Sequence, residues 1–298
     1  MTTPRIRIAL QKSGRLSEDS FDLLARSGIK VRRHKDQLFC HSENFPIDIL
    51  LVRDDDIPNL IIEHVCDFGI VGMNVLQEAT LGKQTHDYTE LVEPIRNLNF
   101  GFCRLSIAVP TDYEYDRIES LSDKSIATTY PYLLKKFLVT HKIPAKIIEL
   151  TGSIEIAPRL GIADAICDLV STGGTLAANH LKEAETILHS QALLIKSNRA
   201  LTGEKQRIAD LFMRRIQGVL QASESKYIML HAPKDKLQQI VAILPGVEHP
   251  TIMTLDGDPN KVGVHAVCSE SVFWETLEKL KDAGASSILV MPVEKMMM

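Results

Sequence analysis

Residues 155–176 read EIAPRLGIADAICDLVSTGGTL, and this stretch carries the clearest structural pattern of the chain. It predicts a short helix, a buried strand over about 163–170, a tight turn and a new helix that begins near residue 175. The turn combines glycines, which bend freely, with hydroxyl side chains, and its backbone N–H groups can converge on an anion beside a helix start. The segment therefore predicts a phosphate-binding loop. Its residues are Ser171, Thr172, Gly173, Gly174 and Thr175.

Two carboxylates favour this interpretation over a plain strand-to-helix connection, which a Gly-Gly turn also commonly forms. Asp168 lies near the end of the predicted strand, and Glu155 lies in the short helix that leads into it. Because carboxylates repel a phosphate, we expect them to contact sugar hydroxyls or a metal ion that accompanies the phosphate. A phosphorylated sugar satisfies both the loop and the acids.

Segments along essentially the whole chain resemble the long form of ATP phosphoribosyltransferase. The loop motif that carries the resemblance consists of Glu155, Gly161, Asp168, Thr172, Gly173, Thr175 and Leu176. Five further segments carry it: QKSGRLSEDS (11–20), IDILLVRDDDIP (47–58), DFGIVGMNVL (67–76), ESKYIMLHAP (224–233) and GASSILVMPVEKM (284–296). The resemblance implies an enzyme, a pentosyltransferase that joins ATP to phosphoribosyl pyrophosphate in the first step of histidine biosynthesis.

Composition is consistent with such an enzyme. A length of 298 residues suggests about two domains. The 34 basic and 38 acidic residues give a net charge of −4, which argues against nucleic acid or an anionic membrane as the main partner. The five cysteines form no CxxC pair, and no signal peptide or long apolar run is present, so the sequence predicts reduced thiols and a cytoplasmic location.

Predicted strands in the first hundred residues end in residues suited to bind anions. A strand over 5–10 is followed by Lys12, Gly14, Arg15 and Leu16, where the two cations either contact phosphates or lie solvated in a surface loop. A buried strand over 47–52 ends at Arg53, a second candidate for a pyrophosphate contact. The acids at 54–56 are better interpreted as a helix start before Pro58 than as a metal cluster.

A strand over 67–72 places Asn74 in the turn after it, which the resemblance implies is close to the nucleotide. Tyr130 follows a strand over 125–129 and either borders the adenine or packs in the core. Strands over 105–109, 125–129, 146–150 and 163–170 alternate with helices and predict a parallel sheet. A helix over 175–185, a strand over 192–195 and a helix over 204–222 complete this part.

The predicted fold class is α/β with a C-terminal ferredoxin-like domain, and the resemblance implies that the core has two lobes like those of periplasmic binding proteins. The resemblance implies that residues 1–104 and 181–223 form the first lobe and that 105–180 form an inserted second lobe. Residues 224–298 show the order βαββαβ, which is that of a ferredoxin-like unit. Trp274 is predicted to pack in its core, and the resemblance implies that this domain senses histidine, with Thr251 as a candidate contact.

The implied chemistry is attack of adenine N1 on the anomeric carbon of phosphoribosyl pyrophosphate, with loss of pyrophosphate. N1 carries no proton, so we expect no acid or base but positioning by Asp168 and Glu155, directly or through Mg²⁺. The resemblance further implies a dimer in equilibrium with a hexamer, no separate regulatory subunit, and AMP as a further candidate inhibitor. The alternative is a two-lobed module that binds a small molecule without chemistry.

Overall fold

The computed structural model describes residues 4–32, 37–244, 249–269 and 274–297. The chain forms two compact units. The first runs to Asp22 and continues from Lys30 to Ile208, and the second contains Leu23–Ile29 and the chain from Ala209 onward.

The elements alternate between strands and helices along most of the chain. The first part contains β1 (Ile6–Gln11), α1 (Arg15–Arg26), β2 (Phe39–His41), β3 (Ile47–Val52), α2 (Ile57–Ile62), β4 (Phe68–Gly72), α3 (Met73–Gly82) and β5 (Val92–Asn97). The middle contains β6 (Cys103–Pro110), β7 (Ser125–Thr128), α4 (Pro131–His141), β8 (Lys146–Glu149), β9 (Ala165–Val170), α5 (Gly174–Ala178), β10 (Leu181–Ser190) and β11 (Ala192–Ser197). The last part contains α6 (Gly203–Ser223), β12 (Ser225–Pro233), α7 (Leu237–Ile243), β13 (Thr251–Thr254), β14 (Lys261–Ser269), α8 (Trp274–Asp282) and β15 (Ser286–Pro292).

The first sheet has the strand order β2-β3-β1-β4-β11-β5. Strand β1 pairs in parallel with both β3 and β4, so these three strands end at one edge. Most of their side chains are buried, as the continuous apolar runs predicted, and Arg7 of β1 is exposed. Strand β11 returns to this sheet and pairs antiparallel with β4, so the chain comes back to the first sheet after forming the second.

The second sheet has the order β10-β6-β9-β7-β8. Strand β7 runs parallel to β8 and β9, whereas β6 runs antiparallel to β9 and β10. The predicted all-parallel sheet is therefore wrong, and both sheets are mixed. Alternation of strands and helices indicates parallel neighbours, but it does not reveal that strands far apart in sequence pair antiparallel.

The predicted helix over 175–185 is also wrong. Only Gly174–Ala178 is helical, and the strand Leu181–Ser190 follows and joins the second sheet. Two register shifts interrupt its pairing with β6, between Glu183 and Glu185 and between Thr186 and Leu188. Such bulges break the period of two that identifies a strand. The second sheet thus extends from Cys103 to Ser190, and the lobe limits at 105–180 stay a prediction.

The second unit contains a four-stranded antiparallel sheet in the order β13-β14-β12-β15. With α7 and α8 between the strands, this is the ferredoxin-like topology that the βαββαβ pattern predicted. The core lies on one face of the sheet, where Ile228 and Leu230 pack with Ile240 of α7 and Leu280 of α8.

Trp274 does not belong to this core, because it is 77% exposed, so its predicted packing role is wrong. Helix α8 presents Leu277 and Leu280 to the core instead. The sequence pattern of the tail also predicts a helix over 234–244 that Pro245 and Gly246 end, and a helix over 271–282. Pro245, Gly246 and residues 271–273 lie outside the described residues. In the described ranges we find no helix with the length and apolar character needed to cross a membrane.

Gly69 provides a test of the packing between α2 and the first sheet. A Cβ atom at this position would lie 2.8 Å from Ile57 Cγ2 and 3.2 Å from Ile61 Cδ1. Because the core is close-packed, we expect Gly69→Ala to lower the free energy of unfolding by about 1–3 kcal/mol. Urea unfolding followed by circular dichroism measures this. Glu63→Ala, at the exposed end of the same helix, serves as the control and should unfold like the wild type.

Candidate functional site

The predicted phosphate loop lies at the end of β9. Gly173 adopts a left-handed conformation with φ of 80°, which glycine tolerates and other residues disfavour. It occupies the position before the first turn of α5, so no side chain caps the N–H groups there. These groups remain available to an anion. Because α5 has five residues, we attribute anion binding to these N–H groups rather than to the dipole of a long helix.

Asp168 and Glu155 border this loop, as predicted. A small cavity of about 80 Å³ contains both acids and the loop, and it is lined by Glu155, Asp168, Leu169, Val170, Ser171, Thr172, Gly173, Gly174, Thr175 and Leu176. The backbone N–H of Leu169 donates to Asp168 Oδ1 at 2.7 Å. Burial raises the pKa of Asp168 from 3.8 to about 6, and the charge of Glu155 contributes to the increase. The cavity therefore favours a ligand that brings hydroxyl or cationic groups to the acids.

Arg104 supports the loop from the neighbouring strand, and sequence reasoning missed it. Its Nη1 donates to the carbonyl of Ser171 at 3.3 Å, while Nε and Nη2 donate to the two carboxylate oxygens of Glu183. Ser106 also donates to Glu183, at 2.7 Å. The Arg104 guanidinium holds the pKa of Glu183 down at about 2. No sequence pattern links Arg104 to Glu183, because the pairing of β6 with β10 brings them together.

The predicted cations of the first lobe lie at adjacent strand ends. The N–H of Lys12 donates to the carbonyl of Val52 at 2.8 Å, so the turn after β1 lies directly beside Arg53 after β3. Lys12, Arg15 and Arg53 are exposed. Gly14 has φ of 92°, which allows the sharp turn into α1. Leu16 lies next to Gly101, since a Cβ there would lie 3.2 Å from Leu16 Cδ1.

Asn74 and Tyr130 connect the two lobes. Asn74 is 3% exposed, its Nδ2 donates to the hydroxyl of Tyr130 at 3.0 Å, and its Oδ1 accepts from Ser190 Oγ at 2.7 Å. Burial raises the pKa of Tyr130, and the charges of Asp54 and Asp168 raise it further. Tyr130 is therefore electrostatically coupled to both lobes. The predicted nucleotide contact of Asn74 stays a prediction, and its side chain contacts Tyr130 and Ser190.

A larger cavity, of about 370 Å³, lies beside Tyr130. It is lined by Asp54, Asp55, Asn59, Val75, Glu78, Ala79, Gly82, Thr129, Tyr130 and Tyr132. The two tyrosines supply flat apolar surfaces and the other side chains supply polar groups, a composition typical of a small-molecule site. We expect a ring with polar edges to fit this cavity.

The acids do not form a metal site of three protein ligands. In the described ranges no group of three His, Cys, Asp or Glu side chains could hold a metal ion. Mg²⁺ needs less from the protein, because it commonly binds one or two carboxylates together with substrate phosphates. The Asp168 and Glu155 pair, which shares a cavity and raises the Asp168 pKa, fits that type of site.

Thr251 lies on β13, the edge strand of the C-terminal sheet, and is exposed. It pairs with His265 of β14, and the ring of His265 hydrogen-bonds to the hydroxyl of Tyr227. The predicted histidine contact of Thr251 stays a prediction.

Comparison with known protein families matches two adjacent parts of the chain. The family model described as ATP phosphoribosyltransferase (HisG) matches residues 53–218, which is more than half of the chain. The chain belongs to the ATP phosphoribosyltransferase family. The model described as the HisG C-terminal domain matches residues 222–295. The resemblance seen in the sequence is therefore confirmed, and the chain is a pentosyltransferase of histidine biosynthesis, in a family that uses ATP and phosphoribosyl pyrophosphate.

A solved structure shows the same fold over 72% of this chain. The ATP phosphoribosyl transferase (HisG:HisZ) complex from Thermotoga maritima matches with 24% identity and a TM-score of 0.59, over 72% of this chain and 98% of that chain. A substrate-binding protein of an amino acid ABC transporter matches with 12% identity and a TM-score of 0.47, over 74% of this chain and 94% of that one. The predicted fold class, a two-lobed α/β core with a ferredoxin-like C-terminal domain, is confirmed by the topology and the family matches.

The raised pKa of Asp168 predicts a pH effect on stability. Because its folded-state pKa of about 6 exceeds 3.8, ionisation of Asp168 destabilises the folded protein. This destabilisation is absent below about pH 4 and complete above about pH 6. Asp168→Asn removes this charge. We expect the variant to be more stable than the wild type at pH 7, by on the order of 2 kcal/mol, with little difference at pH 4.

Urea unfolding of both proteins from pH 4 to pH 7 measures this difference. Asp164→Asn is the matched control, because Ser125 holds the pKa of Asp164 below its usual value, so this variant should lose stability instead. Parallel pH profiles for wild type and Asp168→Asn would contradict the assignment.

Proposed function

We propose that this chain transfers the phosphoribosyl group of phosphoribosyl pyrophosphate to N1 of the adenine of ATP. One observation carries the assignment of the site within the family: a loop with uncapped N–H groups and two carboxylates share one cavity at the end of β9. A sugar phosphate presents a phosphate to the loop and hydroxyls to the acids. The larger cavity, lined by Tyr130 and Tyr132, is suited to a flat ring.

The loop holds the 5′-phosphate, and the acids orient the ribose. The N–H groups and hydroxyls of residues 171–175 donate to the phosphate oxygens, and Arg104 fixes the loop through the Ser171 carbonyl. Asp168 and Glu155 accept from the ribose hydroxyls. These contacts present the anomeric carbon to the adenine, so that the main contribution of the protein is alignment.

The chemical step replaces one bond to the anomeric carbon with another. The lone pair of adenine N1 forms the new bond as the bond to the pyrophosphate oxygen breaks, and the electron pair leaves with pyrophosphate. No proton moves, so the protein supplies no general base or acid. Lys12, Arg15 and Arg53 stabilise the charge that accumulates on pyrophosphate or on the ATP phosphates. The remaining proposed contacts to ATP or pyrophosphate are Gly14, Leu16, Asn74 and Tyr130.

We propose Mg²⁺ as the cofactor, and Asp168 and Glu155 are the residues that would hold it together with the substrate. When bound, the ion neutralises charge on the departing pyrophosphate. The acids fit this role because their proximity and burial disfavour two bare negative charges. In this arrangement Asp168 is ionised when the substrate and ion are present.

The C-terminal domain is proposed to make the chain sensitive to histidine, with Thr251 among the contacts, and AMP is proposed as a second inhibitor. Because residues 222–295 match the family's own C-terminal domain, we propose that no separate regulatory subunit is needed. A cytoplasmic location follows from the supply of ATP and phosphoribosyl pyrophosphate. The cysteines are consistent with a reducing compartment, since no disulfide joins them in the described part of the chain.

The C-terminal sheet supports the proposed assembly into dimers and hexamers. One face is covered by α7 and α8. On the other face, Tyr227 lies opposite Met291, and Met229 lies opposite Leu289. Leu289 is 52% and Met291 is 43% exposed, and Met253 on the edge strand is 53% exposed. An exposed face that presents several apolar side chains favours burial against another copy of the chain.

The reaction itself gives the first test. We expect release of pyrophosphate that requires ATP, phosphoribosyl pyrophosphate and Mg²⁺ together, and that falls when histidine is added. Asp168→Asn should lower kcat/KM by about 10- to 100-fold, because a charged contact to the sugar or metal is lost. Lys196→Ala, which removes a surface ion pair with Glu93, should leave the rate unchanged. A folded wild-type protein that binds ATP but releases no pyrophosphate would instead support the binding module without chemistry.

Assembly gives the second test. We expect Leu289→Lys to shift the protein toward smaller species in size-exclusion chromatography with light scattering, because a charge on the apolar face opposes its burial. Thr254→Lys adds the same charge on an exposed position of the edge strand that faces the other way, and it should assemble like the wild type. Equal masses for all three proteins would refute this face as the contact.

A further inference from the structure

One face of α3 contacts the second lobe through three residues spaced four apart. Asn74, Glu78 and Gly82 lie above one another on this helix, since residues four apart share a helix face. Asn74 hydrogen-bonds to Tyr130, and Gly82 lies against the ring of Tyr132, where a Cβ would be 3.1 Å from Cε2. We call these three residues the interlobe face.

Glu78 makes two hydrogen bonds across the interlobe face. Its two carboxylate oxygens accept the backbone N–H groups of Tyr132 and Leu133, each at 2.8 Å. Both N–H groups belong to the first turn of α4, where the helix itself offers no acceptors. A residue of the first lobe thus caps a helix of the second lobe. The negative charge of Glu78 is stabilised here, because the carboxylate lies at the positive end of an 11-residue helix.

Burying the carboxylate of Glu78 between the lobes costs free energy, and an apolar side chain would pack there without this cost. Burial raises the pKa of Glu78, and only the two N–H groups lower it again. A glutamine could not replace it, because an amide has one acceptor oxygen and would turn its NH₂ group toward an N–H donor. The requirement is for two acceptors at one site.

The cap that Glu78 provides to α4 positions Tyr130. Tyr130 immediately precedes α4, it accepts from Asn74, and it lines the larger cavity together with Glu78. We propose that Glu78 is a positioning residue: by capping α4 across the lobes it fixes Tyr130 in the cleft and so determines the affinity for the nucleotide. This inference rests on the proposed function, because it assigns the larger cavity to the adenine of ATP.

Glu78→Gln tests the contact and its effect in one variant. Hydrogen exchange without substrates should show faster exchange of the Tyr132 and Leu133 amides. In the pyrophosphate assay, KM for ATP should rise about 5-fold or more with kcat within 2-fold, whereas KM for phosphoribosyl pyrophosphate should change less. Glu93→Gln is the matched control: it makes the same charge change in the first lobe, at a carboxylate that pairs with Lys196 on the surface.

Gly82→Ala separates positioning from stability. The added methyl group pushes on the Tyr132 ring but raises the helix propensity of α3. We expect a higher KM for ATP at an unchanged or higher unfolding midpoint, which general destabilisation would not produce. Unchanged KM values in both variants, in an active enzyme, would overturn the positioning role alone. A wild type that releases no pyrophosphate would overturn the proposed function and the positioning role with it, while hydrogen exchange would still report on the cap.

Discussion

Parallel pairing of strands is the constraint on which the site depends. In the first sheet, β1 pairs in parallel with β3 and β4, and in the second β7 pairs in parallel with β9. Parallel strands end at a common edge, so their pairing alone brings together the residues that follow them. Lys12, Arg53 and Asn74 are gathered in one lobe by this rule, and Tyr130 and Ser171 in the other. The antiparallel strands of both sheets position no predicted ligand contact directly.

Two residues of the site adopt states that cost free energy, and contacts from neighbouring residues stabilise the elements that carry the site. Asp168 is buried enough to oppose its own ionisation, and Gly173 occupies a backbone region that only glycine enters easily. Arg104 and Glu183 hold the loop from the side, and Glu78 holds the helix that follows Tyr130. None of these three residues touches the small cavity beside the loop. Pre-organisation of this kind places the cost of ordering in folding instead of in ligand binding.

Sequence reasoning found the parts of the fold that depend on local patterns. The run at 47–52 coincides with β3, and the βαββαβ order of the tail is observed. The loop, Asp168 and Glu155 share a cavity as their spacing indicated. The failures arose where distant pairing decides the outcome. Leu181–Ser190 has helix-like spacing of apolar residues because bulges interrupt its strand, and Arg104 and Glu78 act through partners 79 and 54 positions away.

The position of β11 has a consequence for the growing chain during synthesis. This strand lies between β4 and β5, so β5 joins the first sheet only through a segment that is made about a hundred residues later. Until Ala192–Ser197 leaves the ribosome, β4 presents an unpaired apolar edge while the whole second sheet is being completed. At ordinary elongation rates, translation therefore exposes the aggregation-prone edge of β4 for several seconds. This exposure ends when β11 pairs with β4.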